Sequence, residues 1–226
     1  MAMLVLVHGA WHQGSAWDAT RPFLTERGHH VISPTLSHEP GTRLRDHVAE
    51  LVAVIEAAAE PVTLVAHSYA GLPALQAAAL TSGNIARVVA IDAWLARPGQ
   101  SLLDIAPEWF ADWCRRAAIG DGLTAMLPIP PMWTVGIDED SPEALWLGPR
   151  LVAQPMATFT DPVVTAFDGS WVDRHAIVCS PSLMPFRDLA RSAGYTIHTI
   201  ESGHDVMVSA PRPLADLLDR LVRAVN

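Results

Sequence analysis

The 226-residue sequence predicts an α/β protein: a doubly wound, mostly parallel sheet of about six strands carrying an inserted, mainly helical cap. Three observations predict it. Short β-branched apolar runs alternate with segments of helical length. The runs are apolar throughout rather than at every second residue, as in strands buried on both faces. The alternation then breaks once, for about 75 residues, far longer than an ordinary loop.

The runs are "MLVLV" (3–7), "HVISP" (30–34), "VTLVA" (62–66), "RVVAI" (87–91), "AIVCS" (176–180) and "TIHTI" (196–200). Between them, residues 17–27, 44–59, 70–80 and 187–193 read as crossover helices, and residues 213–225 as a closing one. Such alternation builds a parallel sheet with helices on both faces. The break follows "VVAIDAWLARPGQ"; it is rich in proline, has a helical patch at 106–118, and holds Trp109, Trp113, Trp133, Trp146 and Trp171. Residues 95–174 are therefore expected to form a cap over the carboxyl ends of the strands, where open α/β sheets bind ligands, with 1–94 and 175–226 forming the core.

Composition removes several function classes. The net charge of −9, with basic residues scattered apart from Arg115-Arg116, argues against a nucleic-acid partner. All 15 basic side chains are arginine, which excludes a Schiff-base lysine or a phosphate-binding Walker lysine. No run approaches the roughly 18 apolar residues of a membrane span, and "MAMLVLVHGAW" lacks a basic leader, so a cytoplasmic protein without membrane contact is expected. Cys114 and Cys179 stand alone and read as buried thiols in a reducing compartment. No cofactor or metal is implied. The expected partner is a small-molecule substrate with, for a transferase, an acyl acceptor; a homodimer is compatible with the composition.

The chemistry centres on "VTLVAHSYAGLPALQAAAL". A strand, then small-x-Ser-x-small, then a helix is the pattern of a nucleophile elbow, in which a sharp turn lifts the serine above the sheet and leaves room only for small flanking residues. Here Ser68 lies between Ala66 and Ala70, with Gly71 next. An elbow needs an oxyanion hole, built from the amide after the nucleophile, that of Tyr69, and one from the loop after the first strand. "VHGAWHQG" supplies that loop: either Ala10 or Trp11 can present the second amide, and His8 reads as locally bonded to orient it. A general base is needed late in the chain, and "TIHTIESGHDVMVSAP" places His204 directly after the last strand. His29, His30, His38 and His47 read as solvated or locally bonded in surface-like segments, His67 as packed beneath the nucleophile or facing the acid, and His175 and His198 as strand residues.

The stretches "LVLVHGAWHQGSAW", "LVAHSYAG", "VVAIDAWLARPG" and "ESGHDVM" together resemble the α/β-hydrolase superfamily, most closely its branch of plant methyl-ester esterases and hydroxynitrile lyases with their bacterial relatives. The resemblance covers nearly all of the chain outside the cap. It implies Ser68 as nucleophile, His204 as base, and Ala10 and Tyr69 as oxyanion donors. Two departures stand out. The lyases carry threonine in the first loop and lysine after the histidine, where this chain has Gly9 and Asp205, which disfavours cyanohydrin cleavage. The triad acid of relatives follows the strand at 176–178, but "CSPSLMPF" has no carboxylate before Asp188, which falls in the next helix. Asp92, at the end of the preceding strand, is the substitute; the alternative is an Asp92 that braces the cap entry, with His204 oriented by a serine, a carbonyl or water.

The leading expectation is a Ser68 acyl-enzyme that hydrolyses, or transfers the acyl group of, a small apolar or aromatic ester or thioester. Trp11, Trp109 and Trp133, with Met126 and Met132, are expected to line its pocket. Two other classes use the same scaffold: a small-molecule binding protein or receptor with little turnover, and a cofactor-free lyase or isomerase in which His204 shuttles a proton.

Overall fold

The computed structural model describes residues 1–224. The chain opens with β1 (Met3–Val7), passes through α1 (Arg21–Glu26) to β2 (His30–Ile32), and returns through α2 (Leu44–Glu56) to β3 (Val62–His67). Helix α3 (Gly71–Leu80) leads to β4 (Ile85–Ile91). The insertion then contributes α4 (Leu102–Ile105), α5 (Glu108–Ala117), β5 (Met126–Leu127), α6 (Pro142–Leu147), β6 (Gln154–Pro155) and α7 (Ala157–Thr160). The chain closes with β7 (Asp173–Ser180), α8 (Phe186–Ser192), β8 (Thr196–Glu201), α9 (Val206–Ser209) and α10 (Pro211–Arg223).

Six strands form one parallel sheet in the order β2-β1-β3-β4-β7-β8, the α/β-hydrolase fold. Its centre is β3, "VTLVAH", buried along its whole length between helical layers, and its edges are the short β2 and the threonine-rich β8, both partly exposed. A strand of only three residues and one carrying polar side chains both offer a poor edge for pairing with another chain. Helix α2 buries Leu44, His47, Val48, Leu51 and Ile55, and α10 buries Leu214, Leu217, Leu218 and Leu221; both spacings make one apolar face on an α-helix. Because β1 lies between β2 and β3, the chain leaves it on one side of the sheet and returns on the other. The loops after β1 and β3 diverge there and open a crevice at the carboxyl ends of the strands.

Several boundaries differ from the sequence expectation. The helix expected at 17–27 is a single 3-10 turn at Gly14–Trp17 followed by α1, with Pro22 in the first turn, where a missing N–H breaks no intrahelical bond. Strand β7 begins at Asp173, inside the segment assigned to the cap, because Arg87 of β4 reaches Asp173 with Nε at 2.9 Å and extends the pairing. The insertion is not purely helical: β5 and β6 pair antiparallel. The closing helix ends at Arg223; the expected end at 225 lies outside the described residues. His29 and His47 are buried rather than solvated, since His29 Nε2 meets Asp219 at 2.7 Å, while His47 bonds Tyr69 and the Ser37 carbonyl. Both cysteines are buried and unpaired. Among the described residues no helix is long and apolar enough to cross a membrane.

Candidate active site

Ser68 follows β3 directly and starts a 3-10 turn, Ser68–Ala70, that runs into α3. Its φ is +54°, in the left-handed region that costs a non-glycine residue about 1–3 kcal/mol. Packing holds it there. The Ser68 carbonyl accepts from the Trp94 amide at 3.1 Å, and a side chain on Gly71 would place its Cβ 2.2 Å from the Trp94 carbonyl oxygen. Glycine at 71 thus lets α3 approach the end of β4, and that close approach keeps the serine raised.

His204 arrives from the loop after β8, across β7 and β4. Its Nε2 lies 2.9 Å from Ser68 Oγ and its Nδ1 lies 3.1 Å from Asp92 Oδ2. The ring is sandwiched between Phe186, stacked nearly parallel to it at 5.2 Å between centroids, and His67 at 4.6 Å. Asp92, with φ +40°, is pinned to β7: its amide donates to the Ile177 carbonyl at 2.9 Å, and its Oδ1 accepts the Cys179 amide at 2.9 Å. One carboxylate oxygen is therefore held by backbone while the other faces His204. In "CSPSLMPF", where the resemblance would place an acid, the structure puts an apolar wall: Leu183, Met184 and Phe186 face the cavity.

The loop after β1 is set by two histidines with opposite protonation. His8 Nδ1–H donates to the Gly9 carbonyl at 2.8 Å, and its Nε2 accepts the Leu36 amide at 3.0 Å, so the ring is neutral with a defined tautomer. Burial, opposed by the bond to Gly9, pushes His8 down to about 3. The Gly9 carbonyl belongs to the same peptide group as the Ala10 N–H, so His8 fixes the direction of that amide. Of the two candidate oxyanion donors, Trp11, with φ +64°, gives its N–H to Gln154 Oε1 at 3.1 Å, leaving Ala10 as the available one beside Tyr69. Gly9 is required: a Cβ there would lie 2.9 Å from His67 Nδ1 and 3.0 Å from Ser68 Cβ. The Tyr69 side chain is anchored by His47 Nδ1 at 2.8 Å, and burial raises its hydroxyl pKa well above the usual value.

Beneath these loops lies an ion pair that sequence reasoning left without a role. His12 Nε2 meets Asp205 Oδ2 at 2.9 Å, and His12 Nδ1 meets the Ala10 carbonyl at 2.7 Å. Two acceptors require two protons, so His12 is an imidazolium. Burial acts to lower its pKa, but the adjacent Asp205 carboxylate outweighs burial and holds it above the usual histidine range. Asp205, which burial would raise, is held below the carboxylate range by His12. His67 Nε2 donates to the His204 carbonyl at 3.0 Å, and burial drives its pKa far down. His67, His204 and Asp205 could offer donor atoms within 4.8 Å of one another, but both His204 ring nitrogens are engaged by Ser68 and Asp92, and His67 Nε2 by a carbonyl. The arrangement suits proton transfer at Ser68 better than metal ligation. Two hints of this layer stood in the sequence: His67, expected beneath the nucleophile or facing the acid, and the acidic residue directly after His204.

The insertion docks on these loops through glycine. A Cβ on Gly203 would sit 2.3 Å from the Gly136 carbonyl oxygen, and the Asp205 amide donates to the Val135 carbonyl at 3.1 Å. Between insertion and sheet lies a cavity of about 670 Å³ over Ser68 and His204. Trp11, Trp109 and Trp133 line it, joined by Trp94, Phe110 and Trp113. Met126 and Met132, expected there, are elsewhere: Met126 pairs in β5, and Met132 packs beside Gly148.

Fold and site together define a class. The chain belongs to the alpha/beta hydrolase family, whose model matches residues 4–217. It is similar to the carbendazim hydrolyzing esterase of Nocardioides sp. (strain SG-4G), with 33% identity over 248 aligned positions covering 98% of this chain and 100% of the relative. A solved extracellular alpha/beta-hydrolase from a Paenibacillus species superposes with a TM-score of 0.87 at 17% identity, over 99% of this chain and 100% of that one. A methylesterase from Arabidopsis gives a TM-score of 0.79 at 19% identity, over 98% and 99% of the two chains.

Proposed function

We propose that the protein is a carboxylic ester hydrolase working through a Ser68 acyl-enzyme, on esters with an apolar or aromatic group. The observation that carries this reading is the unbroken chain Ser68 Oγ, His204 Nε2, His204 Nδ1, Asp92 Oδ2, with links of 2.9 and 3.1 Å. His204 takes the Ser68 proton as Oγ attacks the carbonyl carbon, and Asp92 holds the Nδ1–H tautomer and balances the imidazolium. The Ala10 and Tyr69 amides receive the oxyanion, aided by the positive end of α3. His204 then protonates the departing alcohol, and a water deprotonated by the same nitrogen releases the acid. The aromatic cavity supports the substrate class, as do the esterase and methylesterase among the similar proteins. A thioester would use the same groups, and so would transfer to an acceptor other than water.

The test is covalent. Incubation with a 4-nitrophenyl ester should give a burst of nitrophenol, and a fluorophosphonate should add one adduct, mapped by mass spectrometry to Ser68. Both signals should vanish in Ser68→Ala. Undiminished turnover by that variant would refute the proposal.

A further inference from the structure

We infer that the cavity is built for an ester bearing an anionic group, in the first instance a carboxylate, at its end remote from the scissile bond, and that Arg116 recognises it. This rests on the reading of the site as an ester hydrolase. Helix α5 presents Trp109, Phe110, Trp113 and Arg116 to the cavity, a spacing that puts them along one face, while Ala111 and Cys114 point into the protein. Trp113 meets Trp11 edge to face at 6.2 Å, so the aromatic wall runs from the first loop along the helix, with Arg116 one turn beyond its last ring.

The charge of the cavity has one sign. No aspartate or glutamate is among its lining residues. The His12 imidazolium at its floor is neutralised by Asp205. Arg116 is the charged side chain on the wall with no counterion among the described residues, while its neighbour Arg115 pairs with Asp112 at 3.1 Å. In a chain of net charge −9, an exposed, unpaired guanidinium on the wall of a mainly apolar pocket is a local reversal of the field. It would favour an anion that the rest of the surface repels. Its planar fork also matches a carboxylate.

The experiment compares matched esters in which a terminal carboxylate is exchanged for a carboxamide. One pair carries it on the acyl side (4-nitrophenyl hydrogen glutarate and its amide), the other on the alcohol side (4-(carboxymethyl)phenyl acetate and its amide). The readout is the ratio of kcat/KM, carboxylate over carboxamide, within each enzyme. Wild type should favour the carboxylate about fivefold in at least one pair at low salt, the size expected of a solvent-accessible ion pair, and 0.5 M NaCl should erode the preference. Arg116→Gln should bring the ratio to about one, Arg116→Lys should keep part of it, and Arg116→Glu should invert it; thermal melts confirm that each variant is folded. Equal turnover of both esters by wild type, or a preference that persists in Arg116→Gln, overturns the inference and leaves the hydrolase reading standing. Failure of wild type to cleave any of the four esters would instead count against the hydrolase reading itself.

Discussion

His12 and Asp205 stand 193 positions apart in the chain and meet as a buried ion pair at 2.9 Å, with relative exposures of 3% and 0%. The pair joins the loop carrying the Ala10 amide to the loop carrying His204, since His12 also holds the Ala10 carbonyl and Asp205 follows His204 directly. Removing one member of a buried pair strands the other charge, at a cost of about 3–5 kcal/mol. Asp205→Ala should therefore lose stability of that order in urea unfolding, and the double variant His12→Ala/Asp205→Ala should lose less than the sum of the two single changes. Strict additivity would mean that the two groups are not paired in solution.

Stability should fall on the acid side of neutrality. His8 is pushed from 6.5 to about 3 in the folded chain, so the unfolded state binds its proton first, and stability is lost as pH drops through 6.5 toward 3. His38, His47 and His67, all lowered chiefly by burial, act with the same sign. Asp205, held low in the folded state, adds to the loss below about 4. His12 works the other way: raised in the folded state, its contribution is full below 6.5 and disappears as pH rises through its folded value. Urea unfolding at pH 7 and pH 5 should show the protein less stable at pH 5, and His8→Gln should flatten that slope. An unchanged slope in the variant would remove His8 as a cause.

Asp92→Asn tests the proposed role of this carboxylate in orienting His204. The asparagine oxygen can still accept the Cys179 amide, which turns its NH₂ toward His204 Nδ1. His204 must then carry its proton on Nε2 and cannot accept from Ser68. We expect kcat to fall by about 10³–10⁴-fold with little change in KM. Steady-state kinetics on a neutral aryl ester decide it, and a variant within tenfold of wild type would argue that another group orients the histidine.

Much of this architecture was legible because the signals are local. The apolar runs announce the strands, and in "HSYAG" the small residues around Ser68 mark a turn that only small residues fit. The position of His204 follows from the strand before it. The choice between the Ala10 and Trp11 amides was not legible, since Gln154, which takes the Trp11 N–H, comes from the insertion. Nor was the burial of His47, which depends on Tyr69 and Ser37 packing around it.

By itself the sequence determined the alternation of strands and helices, the elbow at Ser68 and the candidate acid and base, because strand burial, helix periodicity and steric room at a turn are properties of short segments. Tertiary structure alone decided which groups hold which protons and which face the cavity. The carboxylates of Asp92 and Asp205 are equivalent as letters. One lies 3.1 Å from His204 Nδ1, and the other lies 2.9 Å from His12 with no solvent access. Burial does not separate them, since Asp92 is 1% exposed and Asp205 0%; the histidine each one meets assigns its role, and those meetings arise only when loops from distant parts of the chain come together over the sheet.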